Sequence, residues 1–265
     1  MKNTFGNAVS LTIFGESHGP AVGAVLDGLA AGLPVDEAAI AAALDRRRAR
    51  GDGLSTARTE ADEVECLSGV YEGHTTGTAV TLMIRNLNTR SGDYAKTAGL
   101  LRPGHADFTA HAKYEGWQDA RGGGHFSGRL TAASVAAGAL CETVLRQLGV
   151  RVCTHIAACA GVEDAPLSSA AALALPEPAP GHFALLDPGR EAAMQEAIRA
   201  AGRDGDSVGG ILETIVTGLP AGIGEPWFDS VESELAHLMF SIPACKGLEF
   251  GAGFRFAGMR GSEAN

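Results

Sequence analysis

The sequence predicts an α+β chain built of two similar halves, and three observations carry that expectation. Short apolar runs of strand length, such as Val9 to Ile13 and Ala21 to Leu26, alternate with longer alanine-rich stretches. One of these, Thr131 to Leu148, has the length of a full core helix and is stopped by Gly149. Finally, Gly28-Leu-Ala-Ala-Gly-Leu33 returns as Gly218-Leu-Pro-Ala-Gly-Ile223, and each copy follows a strand and leads to a helix.

Taken in order, Val9 to Ile13 runs as a strand into the polar loop Phe14 to Pro20, and Ala21 to Leu26 follows as the next strand. Asp36 is placed to cap an alanine-rich helix through about Leu44, with Glu37 in the favourable first turn. Glu63 to Val70 and Ala79 to Arg85 read as strands joined by the turn Gly73 to Gly77, with Val64, Cys66 and Val70 facing a core. Asn86 to Gly92 reads as polar loop.

In the Thr131 to Leu148 helix, Val135, Ala139, Val144, Leu145 and Leu148 share roughly one face, and the many alanines suit close helix–helix packing. Val150 to Ala158 resembles a strand in which Cys153 and His155 are structural, and Pro166 to Pro188 carries no chemical signal. Glu191 to Ala201 reads as a helix, Ile211 to Thr217 as a strand, and Asp229 to Met239 as a helix capped by Asp229 or Ser230. Ser241 to Gly251 reads as a tight loop leading into a strand.

With 265 residues, 45% hydrophobic and 20% charged, the composition is that of a soluble globular protein with a sizeable core. No apolar run approaches the roughly 18 residues of a membrane span, and the N-terminus lacks the apolar region of a secretion signal. Five cysteines without a C-x-x-C pair suit buried thiols in a reduced cytoplasm and no metal site. A net charge of −10 argues against a general nucleic-acid binder.

The positive charge is concentrated. Arg46, Arg47, Arg48 and Arg50 crowd one helix end, beyond what the helix dipole needs, and suit either a multiply charged anion or a solvated helix end. Leu101 to Arg129 holds Arg102, Lys113, Arg121 and Arg129, three histidines (His105, His111, His125) and the triplet Gly122 to Gly124. Glycines feeding a helix N-terminus can turn unpaired backbone N–H groups onto an anion, and the arginines add bidentate phosphate contacts. A flexible turn with solvated arginines is the plainer alternative. Between Gly15 and Gly19, His18 sits with Glu16 and Ser17 as a compact acid and donor group.

Seven stretches together resemble chorismate synthase: F-G-E-S-H-G (Phe14 to Gly19), D-R-R-R (Asp45 to Arg48), T-T-G-T (Thr75 to Thr78), R-P-G-H-A-D (Arg102 to Asp107), R-G-G-G (Arg121 to Gly124), G-D-S-V-G-G (Gly205 to Gly210) and S-I-P-A-C-K-G-L-E-F-G (Ser241 to Gly251). They occur in the family's order across nearly the whole chain. The resemblance implies a sandwich of long helices between antiparallel β-sheets, assembled as a homotetramer in the cytoplasm, with no nucleic-acid or membrane partner. It implies loss of phosphate from 5-enolpyruvylshikimate 3-phosphate to give chorismate, with reduced FMN required and NADPH as a possible reductant. Two alternatives stay open: a phosphate lyase without flavin, and a catalytically silent binding or assembly fragment.

By their match to the family motifs, His18 is the expected proton donor to the leaving phosphate and His105 the histidine that protonates reduced flavin. His125, Phe126, Ser127, Pro243 and Ala244 match stretches that contact FMN, while Arg46, Arg47, Arg48, Arg102 and Arg129 are expected to meet the substrate's anionic groups or NADP. The sequence departs from the pattern at His125-Phe126-Ser127, where many relatives carry R-S-S, and at Gly53, where relatives often place another arginine. The family also continues past Asn265 with a K-P-T-type flavin segment and an R-H-D-P motif, so residues 1–265 are expected to be one domain that is C-terminally incomplete relative to the family.

Overall fold

The pairing of two apolar strands sets the centre of the fold. In the computed structural model, which describes residues 2–55, 60–87 and 100–264, the first strands are β1 (Thr4–Gly6), β2 (Ser10–Gly15) and β3 (Ala21–Asp27). They are followed by β4 (Val64–Ser68), the short hairpin β5 (Val70–Tyr71) and β6 (His74–Thr75), and β7 (Val80–Arg85). The main sheet is antiparallel, in the order β1-β2-β3-β7-β4. Val22, Ala24 and Leu26 of β3 pair in register with Ile84, Leu82 and Val80 of β7, and all six are buried. The period of two along each strand puts these side chains on one face.

Two helices cover that face. Helix α1 (Glu37–Arg47) starts at Asp36, whose carboxylate accepts a hydrogen bond from the Ala39 N–H at 2.9 Å. It buries Ile40 and Leu44, one turn apart. A helix of about two turns, α2 (Asp107–Lys113), precedes α3 (Thr131–Gln147). The side chains of α3 that enter the core are Ala132, Ala133, Ala136, Ala137, Ala139 and Leu140, whereas Leu148 is exposed. The inward face is centred on the alanines; of the positions expected to face the core, Ala139 is buried, Val135 and Val144 pack at the core's margin, and Leu148 points outward. Small side chains let α1 approach α3 closely, and that approach decides which face turns inward.

Helix α3 also touches β8 (Arg151–Cys159), which pairs with β9 (Val162–Glu163) and β10 (Gly210–Thr217) in a second antiparallel sheet, order β10-β8-β9. Helices therefore lie between two antiparallel sheets, and the fold class is α+β. Between β9 and β10 run α4 (Ser169–Ala174) and α5 (Glu191–Arg203). The internal echo has a structural counterpart. Gly28 follows β3 with φ 86°, and a Cβ there would lie 1.9 Å from the Ala8 carbonyl oxygen; Gly218 follows β10 with φ 79°, and its Cβ would lie 2.1 Å from the Gly149 carbonyl oxygen. Only glycine suits both the left-handed backbone and the close approach.

The chain divides into two compact units, Met1–Gly218 and Leu219–Asn265. The second contains α6 (Val231–Met239), capped by Ser230, whose hydroxyl accepts from the Ser233 N–H at 3.2 Å. The strand expected after Ser241 is not formed: Gly251 and Gly253 take φ values of 58° and 54°, which turn the backbone out of an extended path and into a 3₁₀ turn over Gly253–Gly258. Two smaller expectations also change. Cys66 is exposed and the other four cysteines are at best half-buried, because β4 is the edge strand and leaves Cys66 beside an open groove under α1. The expected loop Asn86 to Gly92 lies mostly outside the described residues.

Candidate active site

Three separated segments meet at the end of β2. The loop after Gly15 carries Ser17 and His18, both buried, and its backbone is held from two sides. The Ser17 N–H donates to the Gly124 carbonyl at 3.0 Å, while the Asn86 side-chain amide donates to the carbonyls of Glu16 and Gly19 at 2.9 and 2.8 Å. Ser17 Oγ lies 3.1 Å from His18 Nδ1.

The glycine triplet lies against both candidate histidines. A Cβ on Gly122 would sit 2.2 Å from His18 Cε1, and one on Gly123 would sit 3.2 Å from both His105 Nε2 and Ser127 Cβ. A Cβ on Gly124 would meet the Asp119 carbonyl at 2.3 Å. Three backbone N–H groups of this loop turn inward instead of being left unpaired for an anion. Those of Gly123 and Gly124 both donate to the Arg121 carbonyl, at 2.7 and 3.0 Å, and that of Phe126 donates to Gly123 at 2.9 Å. The run is a succession of tight turns, and its glycines are required by close approach. His125 ties it to the sheet: Nδ1 is 2.8 Å from the Gly15 carbonyl oxygen, which can only accept, so Nδ1 carries the proton.

His105 is oriented by its own neighbours. Its Nδ1 lies 2.5 Å from Asp107 Oδ1, and the carboxylate also receives Arg102 Nε at 2.7 Å and its terminal nitrogen at 2.9 Å. Hydrogen bonds from the Arg102 guanidinium, opposed by partial burial and reinforced by His105, hold the Asp107 carboxyl well below the usual carboxylate range. A carboxylate at Nδ1 fixes the proton there and leaves Nε2 as the atom facing the glycine loop. Asp119 is likewise held low, first by Arg121, with the charge of His18 contributing.

The arginines expected at the site divide by partner. Arg129 is buried and donates from Nε to Asn86 Oδ1 at 3.0 Å, pairs with Glu60 at 3.0 Å, donates to the Arg85 carbonyl at 3.3 Å and makes a short contact with Asp62. Arg47 donates to Asp62 Oδ2 at 2.8 Å, Thr131 Oγ1 at 3.1 Å and the Gly128 carbonyl at 3.2 Å. Burial pulls Arg47 below the ordinary arginine value, and Asp62 works against that shift. Arg46 instead pairs with Glu177 at 2.9 Å and Arg48 with Asp45 at 2.5 Å, both at more exposed positions. The run of four cations is therefore split between a buried cluster and the surface. Pro243 and Ala244 lie in the second unit, both exposed, with Ala244 at φ 65°.

Sequence reasoning missed Asp62, Glu60 and Asn86. Asp62 and Glu60 are single acids in a polar run and Asn86 stood in what read as loop, so no local pattern marked them. His155 is structural, as expected: it is fully buried, with Nδ1 2.9 Å from Asp164 and Nε2 3.0 Å from Glu213, its cross-strand partner. Burial alone would raise the Asp164 carboxyl, but N–H groups of Leu186 and Asp187 together with His155 hold it lower. Among the described residues there is no group of three or more His, Cys, Asp or Glu able to hold a metal ion, and no helix long and apolar enough to cross a membrane.

The chorismate synthase family model matches residues 9–265. The chain belongs to the chorismate synthase family. A chorismate synthase of Methanosarcina mazei is 48% identical over 263 residues, which cover 99% of this chain and 71% of that protein. One of Korarchaeum cryptofilum is 45% identical, covering 98% and 72%. A solved chorismate synthase structure superposes with a TM-score of 0.78 at 29% identity, covering 97% of this chain and 73% of the other. Relatives are thus longer than this chain. Chorismate synthases are phosphate-removing lyases acting on a small molecule, and the buried histidine loop is the natural place in this fold to look for that chemistry.

Proposed function

We propose that this chain eliminates phosphate from 5-enolpyruvylshikimate 3-phosphate to give chorismate, with reduced FMN as cofactor. The observation that carries the reading is the convergence of His18 and His105 on one side-chain-free loop, Gly122 to Gly124. Elimination breaks the C–O bond to phosphate and removes a proton from carbon, so products and substrate stand at the same oxidation level. Reduced FMN, when bound, supplies transient electron density that eases departure of the phosphate.

The residues present fit such a cofactor. A Cβ on the triplet would collide with His18 or Asp119 or crowd His105, so glycine lets this loop pack directly against the candidate histidines. Beside the loop stand the His105 imidazole and the Ser127 hydroxyl, which accepts from the Arg129 N–H at 3.2 Å and keeps its own proton to donate to a cofactor. His125, Phe126 and Ser127 would hold the cofactor. Asp107 keeps the proton on Nδ1 of His105, which presents Nε2 for proton exchange. His18, buried and fixed by Ser17, gives a proton to the departing phosphate; an imidazole suits this because its ordinary pKa of about 6.5 allows both states near neutrality. Of the arginines expected to meet the substrate, Arg102, tied to His105 through Asp107, and Arg47 and Arg129, tied to the His18 loop through Asn86, supply the positive field for its phosphate and carboxylates, while Arg46 and Arg48 pair at the surface with Glu177 and Asp45.

In this reading residues 1–265 are part of one chorismate synthase domain, the protein works in the cytoplasm as a homotetramer, and NADPH is a possible source of reducing equivalents. The test is an anaerobic assay with photoreduced FMN, following phosphate release and chorismate absorbance. Chorismate formed only with reduced FMN supports the proposal. Phosphate release without flavin favours a flavin-independent lyase, and binding of substrate without turnover favours a silent fragment.

A further inference from the structure

We propose that Asp62 is a positioning residue that fixes the Arg47 and Arg129 guanidinium groups in the geometry with which the site receives the phosphorylated substrate. This rests on the reading just given. One carboxylate lies between two guanidiniums contributed by distant parts of the chain: Oδ2 takes Arg47 at 2.8 Å and Oδ1 takes Arg129. Asp62 is buried, and its backbone holds φ 54°, a left-handed conformation that non-glycine residues seldom adopt. Such a conformation persists only where the surroundings demand it, and here it delivers the carboxylate between the two cations.

The two arginines differ in how they face the solvent. Arg129 has its side chain 6% exposed, and its three nitrogens are engaged by Asn86, Glu60, Asp62 and the Arg85 carbonyl. It secures Asp62 from behind. Arg47 is 23% exposed and is held at Nε by Thr131, at one terminal nitrogen by Asp62 and at the other by the Gly128 carbonyl. Three anchors fix the plane of a side chain that otherwise carries many rotamers, so little ordering remains to be done when an anion arrives. Without Asp62, two cations this close would repel each other in a partly dry setting. The carboxylate removes that repulsion and sets their spacing. Through Asn86 the same cluster reaches the backbone of the His18 loop, which puts the cation pair and the proton donor in one connected frame.

Asp62→Asn keeps shape and suits the left-handed backbone, while removing the charge that holds both guanidiniums. Affinity for 5-enolpyruvylshikimate 3-phosphate is measured by calorimetry, beside FMN affinity and far-UV circular dichroism. Substrate affinity is expected to fall about ten- to a hundredfold, the effect of misplacing a charge-assisted contact, with FMN affinity and the fold retained and KM raised more than kcat is lowered. Unchanged substrate affinity overturns the proposal. So does a loss of FMN affinity in equal proportion, which marks a purely structural ion pair. Arg47→Gln and the Arg47→Gln/Asp62→Asn pair complete a double-mutant cycle, and comparing the pair with Arg47→Gln covers the case in which Asp62→Asn alone does not fold. The pair is expected to bind substrate about as Arg47→Gln does, and a further additive loss overturns the inference. A native chain that does not bind the phosphorylated substrate at all sinks the parent reading, an outcome distinct from an active chain indifferent to Asp62.

Discussion

Gly122 lies so close beneath His18 that a methyl group on its Cα would stand 2.2 Å from Cε1 of the imidazole. The contact pairs a conformation with a distance, since Gly122 also takes φ 67°. Gly122→Ala therefore meets two obstacles: a left-handed backbone cost of about 1–2 kcal/mol and displacement of the His18 ring. Its kcat is expected to approach that of the His18 variant described next, with secondary structure intact by circular dichroism. A Gly122→Ala enzyme with native kcat would show that the ring position does not matter.

His18→Ala is expected to lower kcat by about 10²–10⁴, the range for a lost general acid. Fold and substrate affinity should change little, because the loop backbone is held by Asn86 and Gly124 rather than by the imidazole. Single-turnover kinetics separates the chemical step from binding. Native single-turnover rates remove His18 from the reaction.

Asp107 gives a pH-dependent prediction. Its carboxyl is held below the usual range, so its contribution to stability is complete above the unfolded value of about 3.9 and is lost as pH falls through the folded value. The difference in Tm between native protein and Asp107→Asn should be constant near neutrality and shrink on acidification below about pH 4. Asp107→Asn should also slow turnover at neutral pH by about tenfold or more, the scale on which a lost orienting partner acts. A Tm difference that is flat down to strongly acid pH contradicts the assignment.

The two classes of arginine should separate in stability. Arg129→Ala leaves Asp62 with Arg47 as its remaining arginine and takes the Arg129 pair from Glu60; these side chains are 1% and 4% exposed, and breaking a buried pair costs about 3–5 kcal/mol. Arg46→Ala removes a pair with Glu177 that is 35% and 60% exposed, worth about 0–1 kcal/mol at most. Urea titration of both variants checks the contrast. Equal midpoints would mean that the buried cluster holds nothing together.

Local chemistry was enough to place most elements. The strands, the Asp36 cap, the long α3 and the glycine echo depend on the period of apolar residues, on single capping side chains and on positive φ, all of which act over a few neighbours. The motifs were legible for the same reason: F-G-E-S-H-G, R-P-G-H-A-D and R-G-G-G are short contiguous runs. Three things were decided by packing instead. The alanine face of α3 turned inward because α1 comes close to it, the edge position of β4 left Cys66 exposed, and the triple glycine proved to be packed against His18, His105 and Asp119. The charge pattern changed most. Arg47 and Arg129 are 82 positions apart (129 − 47), and Asp62 shows no local mark of joining them. A cation in a sequence carries no record of its counterion, because a carboxylate brought by another segment costs nothing in sequence distance once the sheet and helices are packed. The sign and density of the charges were therefore readable in the chain, and their partners only in the fold.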